Sequence, residues 1–338
     1  MAFPTVSFLL TAYQHAPFVG DAVRCVLAQD YRPLEIILSD DASSDGTFDI
    51  LEKVASEYQG AHTVVVNRND GNLGEPEHVN KLVGLARGNI LIMGHGDDLA
   101  MPQRTRRLVE SLTERDVSLV SSNAEMIDGA AARLGLLSEV ASSRDVDLDL
   151  MLNGGWNSMM LGASFAFDRA VHDRFPPATH KNLPLGGWDH VWPFRAALLK
   201  GMYYVAEPLL RYRQHRQSLT NRIADNTSGA LALAETIAAH DVNAMMQRLK
   251  DIIHLRGEEP GRDQLLAVQQ KLQHRMLQAT MRWTRLRNRM LVDGLRPTWV
   301  DKDVLAAKPL LDALKFKPEV PETAPAQPPG GQGHATET

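Results

Sequence analysis

The chain has 338 residues, of which 44% are hydrophobic, enough for a large domain and an accessory region with cores of their own. Its formal net charge of −5 at pH 7 argues against a nucleic-acid-binding protein, because neutralising phosphates takes a surplus of Lys and Arg. The single cysteine, Cys25, cannot form an intramolecular disulfide, and no apolar stretch reaches the roughly 18 residues of a membrane-spanning helix. We therefore expect a globular, cytoplasmic protein.

Short β-rich apolar runs alternate with helical patterns between residues 5 and 123. The runs predict strands at residues 6–10, 35–38, 63–66, 89–93 and 117–122, and the 3.6-residue patterns predict helices at residues 18–28, 47–58, 79–86 and 104–113. This alternation indicates an α/β fold, with a mostly parallel sheet and helices on both faces. Ligands of such sheets bind beyond the carboxyl ends of the strands, so the loops after Leu10, Leu38 and Met93 are the expected sites of chemistry.

The sequence pattern changes twice in the rest of the chain. Residues 144–220 are less regular and rich in Gly, Pro and Trp, as expected of a mixed region that folds over the sheet. Two long helical patterns, residues 228–255 and 263–291, are joined by RGEEPGR and predict a helical hairpin. The Pro/Gly-rich tail is expected to be disordered. The predicted division is an α/β domain in residues 1–225, a helical region in 226–316 and a tail in 317–338.

The loop SDDASSDGT follows the second predicted strand and contains the carboxylates of Asp40, Asp41 and Asp45. A carboxylate at the end of a strand can accept hydrogen bonds from a nucleobase imide or a ribose. Asp and Ser clusters also occur in turns and helix caps. From these residues alone, both interpretations stay open.

Two adjacent carboxylates follow the fourth predicted strand, in the segment MGHGDDLAMP. Asp97 and Asp98 are expected at the carboxyl edge of the sheet, on a loop where two glycines let a ligand approach the backbone. Proteins hold Mg²⁺ and Mn²⁺ with one or two carboxylates together with phosphate oxygens. A paired-Asp loop without a ligand is the less favoured interpretation, because neighbouring like charges need a positive group to neutralise them.

Two long segments carry a family resemblance: VSFLLTAYQHAPFVGDAVRCVLAQDYRPLEIILSDDASSDGT and, further on, NDGNLGEPEHVNKLVGLARGNILIMGHGDDLAMP. They resemble the family 2 glycosyltransferases of the GT-A fold, and the resemblance covers residues 5–220. It implies an inverting transfer of a sugar from a nucleoside-diphosphate sugar, with UDP-sugars favoured, to a hydroxyl of a saccharide or glycoconjugate. It also implies a nucleotide-binding half in residues 1–123 and an acceptor half in residues 124–225.

The resemblance implies roles for individual residues of the first half. It assigns Asp41 to the nucleobase and Asp98 to a divalent cation, Mn²⁺ or Mg²⁺, with Asp97 contacting the ribose or the metal shell. The wall around the base is assigned to Thr11, Ala12 and Tyr13.

One departure from the family concerns the metal motif. His95 and Gly96 stand where the family commonly has Asp and Ala, so the first carboxylate is missing. His215 lies in a segment similar to the family's Arg-x-His-x-x-Ser and is the candidate for the missing ligand, since a neutral imidazole can complete a metal site. Arg211 and Arg213, in the same segment, are implied to hold the diphosphate bidentately.

Asp189 follows Trp188 at the start of an apolar helical pattern, GGWDHVWPFRAALLKG. By resemblance it is the base that removes the proton from the acceptor hydroxyl. Helix capping is the alternative interpretation, and it is compatible with catalysis. No second carboxylate is evident opposite Asp189, which favours a single displacement with inversion. The acceptor side is assigned to Trp156, Gly162, Ser164 and Trp188.

Two other classes of function compete with glycosyl transfer. A nucleotidyltransferase needs a Gly-rich phosphate loop with a Lys after the first strand, which TAYQHAP is not. A catalytically inactive homologue that acts as a binding or scaffold protein stays open, because His95 replaces the motif carboxylate. The expected setting is surface polysaccharide synthesis at the inner face of the membrane. The basic helix in residues 275–302 fits contact with an anionic membrane or, the favoured interpretation, packing on the catalytic domain or in a homo-oligomer.

Overall fold

The computed structural model describes residues 5–153, 159–179, 187–215, 230–258 and 263–293. The strands are β1 Val6–Ala12, β2 Glu35–Asp40, β3 Thr63–Arg68, β4 Ile90–His95, β5 Leu99–Ala100, β6 Leu119–Ile127, β7 Arg133–Leu136, β8 Arg144–Val146, β9 Ala166–Asp168 and β10 Met202–Arg213. The helices are α1 Val19–Leu27, α2 Thr47–Ser56, α3 Glu75–Leu85, α4 Arg104–Arg115, α5 Leu148–Asn153, α6 Ala170–Asp173, α7 Trp188–Leu199, α8 Ala230–Glu258 and α9 Asp263–Val292. Every strand and helix predicted in the first 123 residues is present.

Within the described residues the strands form one sheet, in the order β3-β2-β1-β4-β9-β6-β10-β5, with β7 beside β6 and β8 beside β10. β1 pairs in parallel with β2 and β4, β2 with β3, and β6 with β10. β9 runs antiparallel between β4 and β6. The mostly parallel α/β sheet predicted from the alternation is confirmed, and β8 and β9 come from the irregular part of the sequence.

The register of β1 brings the two motif-bearing strands together. Ala12 lies opposite Asp40 of β2, and Thr11 lies opposite His95 of β4. Because the three strands are parallel, their carboxyl ends meet at one edge of the sheet. The loops SDDASSDGT and GHGDD start side by side from this edge, as the sequence predicted.

Both faces of the central strands are buried. Phe8 and Leu10 belong to a core to which α1, α2 and α4 also contribute. Leu9 alternates with them, so it points to the opposite face, and it has no exposed area. α3 packs against β1 and β2, and its buried residues lie outside the first core. Helices therefore cover both faces, which leaves the carboxyl edge for a ligand.

The two C-terminal helices form the predicted hairpin, in which α8 and α9 pack on each other and α8 packs on α7. Trp283 and Met290, members of the predicted stripe on α9, are only 4% and 1% exposed. The indole of Trp283 donates to the carboxylate of Glu235 on α8 at 2.7 Å. Trp283 therefore packs within the hairpin, on α8, whereas the sequence favoured packing on the catalytic domain or on a second subunit.

Two further expectations concern the whole chain. The predicted domain boundary at residue 225 and the predicted disordered tail lie outside the described residues, so the division into domains stays a prediction. Among the helices of the described segments, none combines the length and the apolar character needed to cross a bilayer.

Candidate active site

Two loops are hydrogen-bonded to the end of β1 and form the floor of the candidate site. The amide of Asp41 donates to the carbonyl of Ala12 at 2.9 Å, and the amide of Gly96 donates to the carbonyl of Thr11 at 2.8 Å. Tyr13 follows and is half-buried. The three residues predicted to surround a nucleobase therefore lie between the loops of the two acidic motifs.

Asp41 is nearly buried, with 3% of its surface exposed, and its carboxylate is extensively hydrogen-bonded. Oδ1 accepts from the side-chain amide of Asn69 at 2.8 Å and from the main-chain amide of Leu73 at 2.9 Å, and Oδ2 accepts from the amide of Gly74 at 3.0 Å. A carboxylate has about four acceptor positions. Asp41 therefore orients the loop before α3 and retains capacity for one further donor.

The other two carboxylates of SDDASSDGT stabilise the turn itself. Asp40 accepts from the amide of Ser43 at 2.9 Å. Asp45 accepts from the amide of Thr47, the first residue of α2, at 3.0 Å. Asp40 and Asp45 therefore stabilise the turn, as the turn interpretation expects. The carboxylate of Asp41 instead contacts the loop of residues 69–74.

Asp97 and Asp98 follow β4 and are 8% and 5% exposed. The main-chain amide of Arg213 on β10 donates to Oδ1 of Asp98 at 2.9 Å. The other oxygen of Asp98, Oδ2, is buried and has no hydrogen-bond partner among the residues described. Oδ2 of Asp97 lies 3.0 Å from Nε2 of His215 and 3.6 Å from Nε2 of His15.

The two adjacent carboxyl groups differ in their ionisation. Burial, followed by the negative charge of Asp97, raises the pKa of Asp98 well above its usual range. Burial also opposes ionisation of Asp97, but His15 and the hydrogen bond with His215 bring its pKa below the usual range. Two neighbouring buried carboxyls cannot both ionise without a compensating positive charge. The unpartnered oxygen and this repulsion fit a site for a divalent cation.

His95 completes a group of ligand atoms with these two carboxyls. One ligand atom each of His95, Asp97 and Asp98 lies within 4.8 Å of the others. Burial lowers the pKa of His95, which keeps the imidazole neutral, the form that binds metals. An imidazole therefore stands where the family motif has its first carboxylate. His215, the ligand candidate from the sequence, contacts Asp97, a member of this group.

The two arginines predicted to hold a diphosphate have different environments. Arg213 is 4% exposed, and its guanidinium donates to the main-chain carbonyls of Asp97 at 2.9 Å, Asp128 at 3.2 Å and Gly129 at 3.0 Å. The side chain of Arg211 is 51% exposed. Arg213 therefore holds the acidic loop in place, whereas Arg211 is half-exposed and its guanidinium pairs with Glu125 at 3.2 Å.

Comparison with known proteins agrees with this arrangement. The model of the family described as "Glycosyl transferase family 2" matches residues 7–175, half of the chain. The chain belongs to glycosyltransferase family 2. This confirms the resemblance carried by the two long sequence segments.

Relatives and solved structures extend the comparison. ExoO of Rhizobium meliloti, a succinoglycan biosynthesis protein, is 26% identical over 147 residues, 44% of this chain and 41% of ExoO. The chain spans less than half the length of several curated relatives that it matches. S. aureus TarS in complex with UDP-GlcNAc has a TM-score of 0.53 at 12% identity and covers 81% of each chain. The mannosyltransferase PcManGT of Pyrobaculum calidifontis, in complex with GDP-Man and Mn²⁺, has a TM-score of 0.51 at 16% identity over 94% of this chain and 82% of its own. The similarity to these structures shows that this chain has the GT-A fold.

In this family 2 glycosyltransferase, the predicted base lies in the first turn of α7. The helix begins at Trp188, and Gly187, with a φ of 85°, is its N-cap. Asp189 is therefore the second residue of the helix and does not cap it, contrary to the alternative interpretation. Asp189 and Asp97 both act electrostatically on His95, so α7 brings the predicted base to the acidic motif.

The helix that carries Asp189 is held by α8. The guanidinium of Arg248 donates to the carbonyl of His190 at 2.6 Å and 3.1 Å. Arg195 forms a bidentate pair with Asp251 at 2.8 Å and 3.0 Å, and neither side chain has exposed surface. The C-terminal hairpin thus packs directly on the helix of the predicted base.

Two of the predicted acceptor-side residues, Gly162 and Trp188, lie against Asp189. A Cβ added at Gly162 would stand 2.9 Å from the ring of Trp188 and 3.0 Å from Cβ of Asp189, so these three residues are in close contact. Trp188 is 1% exposed, and Ser164 is fully buried with its hydroxyl donating to a carbonyl of its own turn. Trp156 lies outside the described residues, and its role stays a prediction.

Glu75 belongs to the site, although sequence reasoning did not single it out. It is the first residue of α3, its side chain is hydrogen-bonded to Trp188, and the charges of Asp189 and Asp97 act on it. Burial, followed by the charge of Asp189, raises the pKa of Glu75 to about 7. The expectation that no second carboxylate lies near Asp189 is therefore corrected. The segment EPEHV looks like an ordinary helix start, with Pro and acids in the first turn, so no local signal marks Glu75.

Proposed function

We propose that this chain is a metal-dependent, inverting glycosyltransferase that moves a sugar from a nucleoside-diphosphate sugar to a hydroxyl of a saccharide or glycoconjugate. The observation that carries the proposal is Oδ2 of Asp98, a buried carboxylate oxygen with no hydrogen-bond partner in the described segments. It lies at the sheet edge where the loops after β1, β2 and β4 start. A divalent cation would satisfy this oxygen, and its positive charge would attract the diphosphate of the donor.

The cation is assigned to Asp98 and His95. Asp98 offers the unpartnered oxygen, and the neutral imidazole of His95 lies in the same group of ligand atoms. His215 acts through Asp97, which it contacts at 3.0 Å. When bound, a Mn²⁺ or Mg²⁺ ion would supply positive charge to the two phosphate groups of the diphosphate. The complex of PcManGT with GDP-Man and Mn²⁺ supports a divalent cation in this fold.

The nucleotide is assigned to the neighbouring part of the sheet edge. Asp41 has one acceptor position left for the imide of a uracil base, and Thr11, Ala12 and Tyr13 are assigned to the wall around that base. Arg211, whose side chain is half-exposed, is assigned to the diphosphate. The complex of TarS with UDP-GlcNAc supports a UDP-sugar as the donor of this chain.

The transfer is assigned to Asp189 as the general base. The carboxylate takes the proton of the acceptor hydroxyl while the hydroxyl oxygen forms a bond to the anomeric carbon. The bond between that carbon and the diphosphate oxygen breaks, and its electron pair leaves with the diphosphate. This single displacement inverts the configuration of the anomeric carbon. Gly162 and Trp188 form the wall that fixes Asp189 for this attack.

The acceptor is assigned by class only. ExoO is named for succinoglycan biosynthesis, which supports a saccharide acceptor and a role in surface polysaccharide synthesis. We propose that the acceptor is presented at the inner face of the membrane. We therefore keep the cytoplasmic side as the proposed location, with peripheral membrane contact or self-association through the C-terminal helices.

A thermal-shift panel tests the donor and the cation together. UDP, dTDP, GDP and CDP are each added with and without Mn²⁺ to the wild type, to Asp98→Asn and to Asp145→Asn, an exposed carboxylate on β8. We expect a rise in Tm that needs both UDP and Mn²⁺, that Asp98→Asn abolishes and that Asp145→Asn retains. If no nucleotide shifts Tm in the wild type, the chain is better described as an inactive homologue that binds other partners.

A second experiment tests the base. Asp189→Asn should bind UDP and Mn²⁺ like the wild type but release UDP from the donor at least about 100-fold more slowly. The anomeric configuration of the wild-type product is read by NMR. Retention of configuration would contradict the single displacement, and an Asp189→Asn variant with the wild-type rate would remove Asp189 from the mechanism.

A further inference from the structure

Glu75 and Trp188 connect the donor half of the site to the helix that carries Asp189. Glu75 begins α3, and Trp188 begins α7. The carboxyl of Glu75 lies within hydrogen-bonding reach of the side chain of Trp188. Because the indole N–H is the only polar group of a tryptophan side chain, Nε1 of Trp188 is the donor available to this carboxyl.

The ring of Trp188 is confined by protein around this hydrogen bond. Its centroid lies 4.7 Å from that of Trp192 and 5.8 Å from that of Phe165. Gly162 lies against another part of the ring, because a Cβ there would stand 2.9 Å from Cζ2. The apolar contacts confine the plane of the ring, and the hydrogen bond from Nε1 adds a directional restraint. Asp189 follows Trp188 in the same helical turn, so its backbone moves with that ring.

The position of Glu75 is in turn fixed from the donor side. The carboxylate of Asp41 accepts from the amides of Leu73 and Gly74, at 2.9 Å and 3.0 Å. Gly74 is the N-cap of α3 and precedes Glu75 directly. A continuous path of hydrogen bonds and adjacent residues therefore runs from Asp41 through Gly74 and Glu75 to Trp188.

We propose that Glu75 is a positioning residue for the catalytic base, which fixes Asp189 by holding the indole of Trp188 and links that position to the loop held by Asp41. The inference rests on the proposed role of Asp189. It goes beyond that role by assigning the placement of the base to a carboxyl from α3, in the other half of the chain. Removing the hydrogen bond should slow the chemical step and leave donor binding nearly unchanged.

A double-mutant cycle tests the inference through hydrolysis of UDP-GlcNAc by water, which needs no acceptor. Glu75→Ala and Trp188→Phe should each lower kcat by about 10- to 100-fold, because small displacements of a catalytic group have effects of this size. The KM for UDP-GlcNAc should stay within about twofold, and the double variant should be no slower than the slower single variant. Glu75→Gln keeps an acceptor for the indole and should recover most of the loss.

Trp192→Phe is the matched control. Trp192 is also buried in α7, but its indole nitrogen has no hydrogen-bond partner in the described part of the chain. Trp192→Phe removes an indole but leaves the contact between Glu75 and Trp188. The fold-changes in kcat caused by Trp192→Phe and by Glu75→Ala should therefore multiply in the double variant. If the effects of Glu75→Ala and Trp188→Phe on kcat multiply, the inference is wrong. It is also wrong if KM rises while kcat stays constant. Either result would favour direct contact of these residues with the substrate.

A spectroscopic readout checks the contact without catalysis. In ¹⁵N-labelled protein, the indole N–H signal of Trp188, assigned by its loss in Trp188→Phe, should shift in Glu75→Ala and stay near its position in Glu75→Gln. An unmoved signal would overturn the inference. Asp189→Asn separates the two proposals: if it hydrolyses UDP-GlcNAc at the wild-type rate, the proposed role of Asp189 as the base fails. If it is inactive and the cycle shows independent effects, only the role of Glu75 fails.

Discussion

The main-chain amide of Arg213 donates to Oδ1 of Asp98 at 2.9 Å, and the guanidinium of the same residue donates to the carbonyl of Asp97 at 2.9 Å. One residue at the end of β10 therefore holds both acids of the motif. Its guanidinium also binds the carbonyls of Asp128 and Gly129. Arg213 thus fixes the direction in which the free oxygen of Asp98 points.

Replacing Arg213 by Ala should destabilise the protein and weaken the cation site together. Loss of charge-assisted bonds to buried carbonyls should lower the free energy of unfolding by about 1–3 kcal/mol. Mn²⁺ binding, followed by electron paramagnetic resonance, should weaken by about tenfold or more. Urea unfolding of the same samples gives the first quantity.

Arg211→Ala is the comparison for Arg213→Ala. The side chain of Arg211 is half-exposed and pairs with Glu125 at 3.2 Å, so its loss should change stability by less than about 1 kcal/mol. If Arg211 binds the diphosphate, this variant should weaken UDP binding in the presence of Mn²⁺ and leave Mn²⁺ binding intact. Equal losses of stability in the two variants would contradict the division of roles.

His95→Asp should change which cation the site prefers. Imidazole favours transition metals, whereas carboxylates suit Mg²⁺ and Mn²⁺ alike. We expect the variant to bind Mg²⁺ more tightly relative to Mn²⁺ by about tenfold, measured by competition of Mg²⁺ against the Mn²⁺ resonance signal. His274→Asp, on the exposed surface of α9, should leave the ratio unchanged. An unchanged ratio in His95→Asp would show that His95 is not a ligand.

Local patterns were sufficient to predict the sheet and its motif-bearing edge. Apolar runs such as residues 35–38 mark buried strands, and parallel strands necessarily bring the loops at their carboxyl ends to one edge. The sequence alone therefore predicts that the acids of SDDASSDGT and GHGDD lie at this edge of the sheet. The pairing of Thr11 with His95 across β1 and β4 depends on strand order, which no local pattern contains.

The parts of the site that were missed arise from contacts distant in sequence. Glu75 meets Trp188 only because α3 and α7 start at the same edge of the sheet. The donors of Arg213 are occupied by main-chain carbonyls of two loops that lie 84 to 116 positions earlier. The residues next to Arg213 in sequence therefore did not indicate that it is buried. The local pattern did not distinguish Asp41 from Asp40; the family resemblance did, and the hydrogen bonds of Asp41 with residues 69–74 are the structural difference between the two.

His78 should make the fold sensitive to acid. It is 3% exposed, and its Nε2 lies 2.7 Å from the hydroxyl of Ser39. Burial lowers the pKa of His78 from 6.5 to about 4. As the pH falls from 6.5 to 4, the unfolded chain binds a proton at this position while the folded chain does not, so the folded state loses stability over that interval, on the order of 1–3 kcal/mol.

The measurement is urea unfolding of the wild type and His78→Gln at several pH values between 7 and 4. The variant removes the proton uptake, so the difference in unfolding free energy between the two proteins should narrow or reverse towards pH 4. His274→Gln, on the surface, should follow the wild-type curve. Parallel curves for the wild type and His78→Gln would show that His78 is not held neutral by burial.

The pair of Arg195 and Asp251 should be the main tie between α7 and α8. Both side chains are fully buried, and they are joined by two hydrogen bonds at 2.8 Å and 3.0 Å. Asp251→Ala leaves a buried guanidinium without its counter-charge, so we expect a loss of about 3–5 kcal/mol in the free energy of unfolding. Asp116→Ala breaks the exposed pair with Lys200 at 2.7 Å and should cost less than about 1 kcal/mol. Similar losses in the two variants would mean that burial does not decide the strength of these pairs, and that α8 does not anchor the helix of the base through this contact.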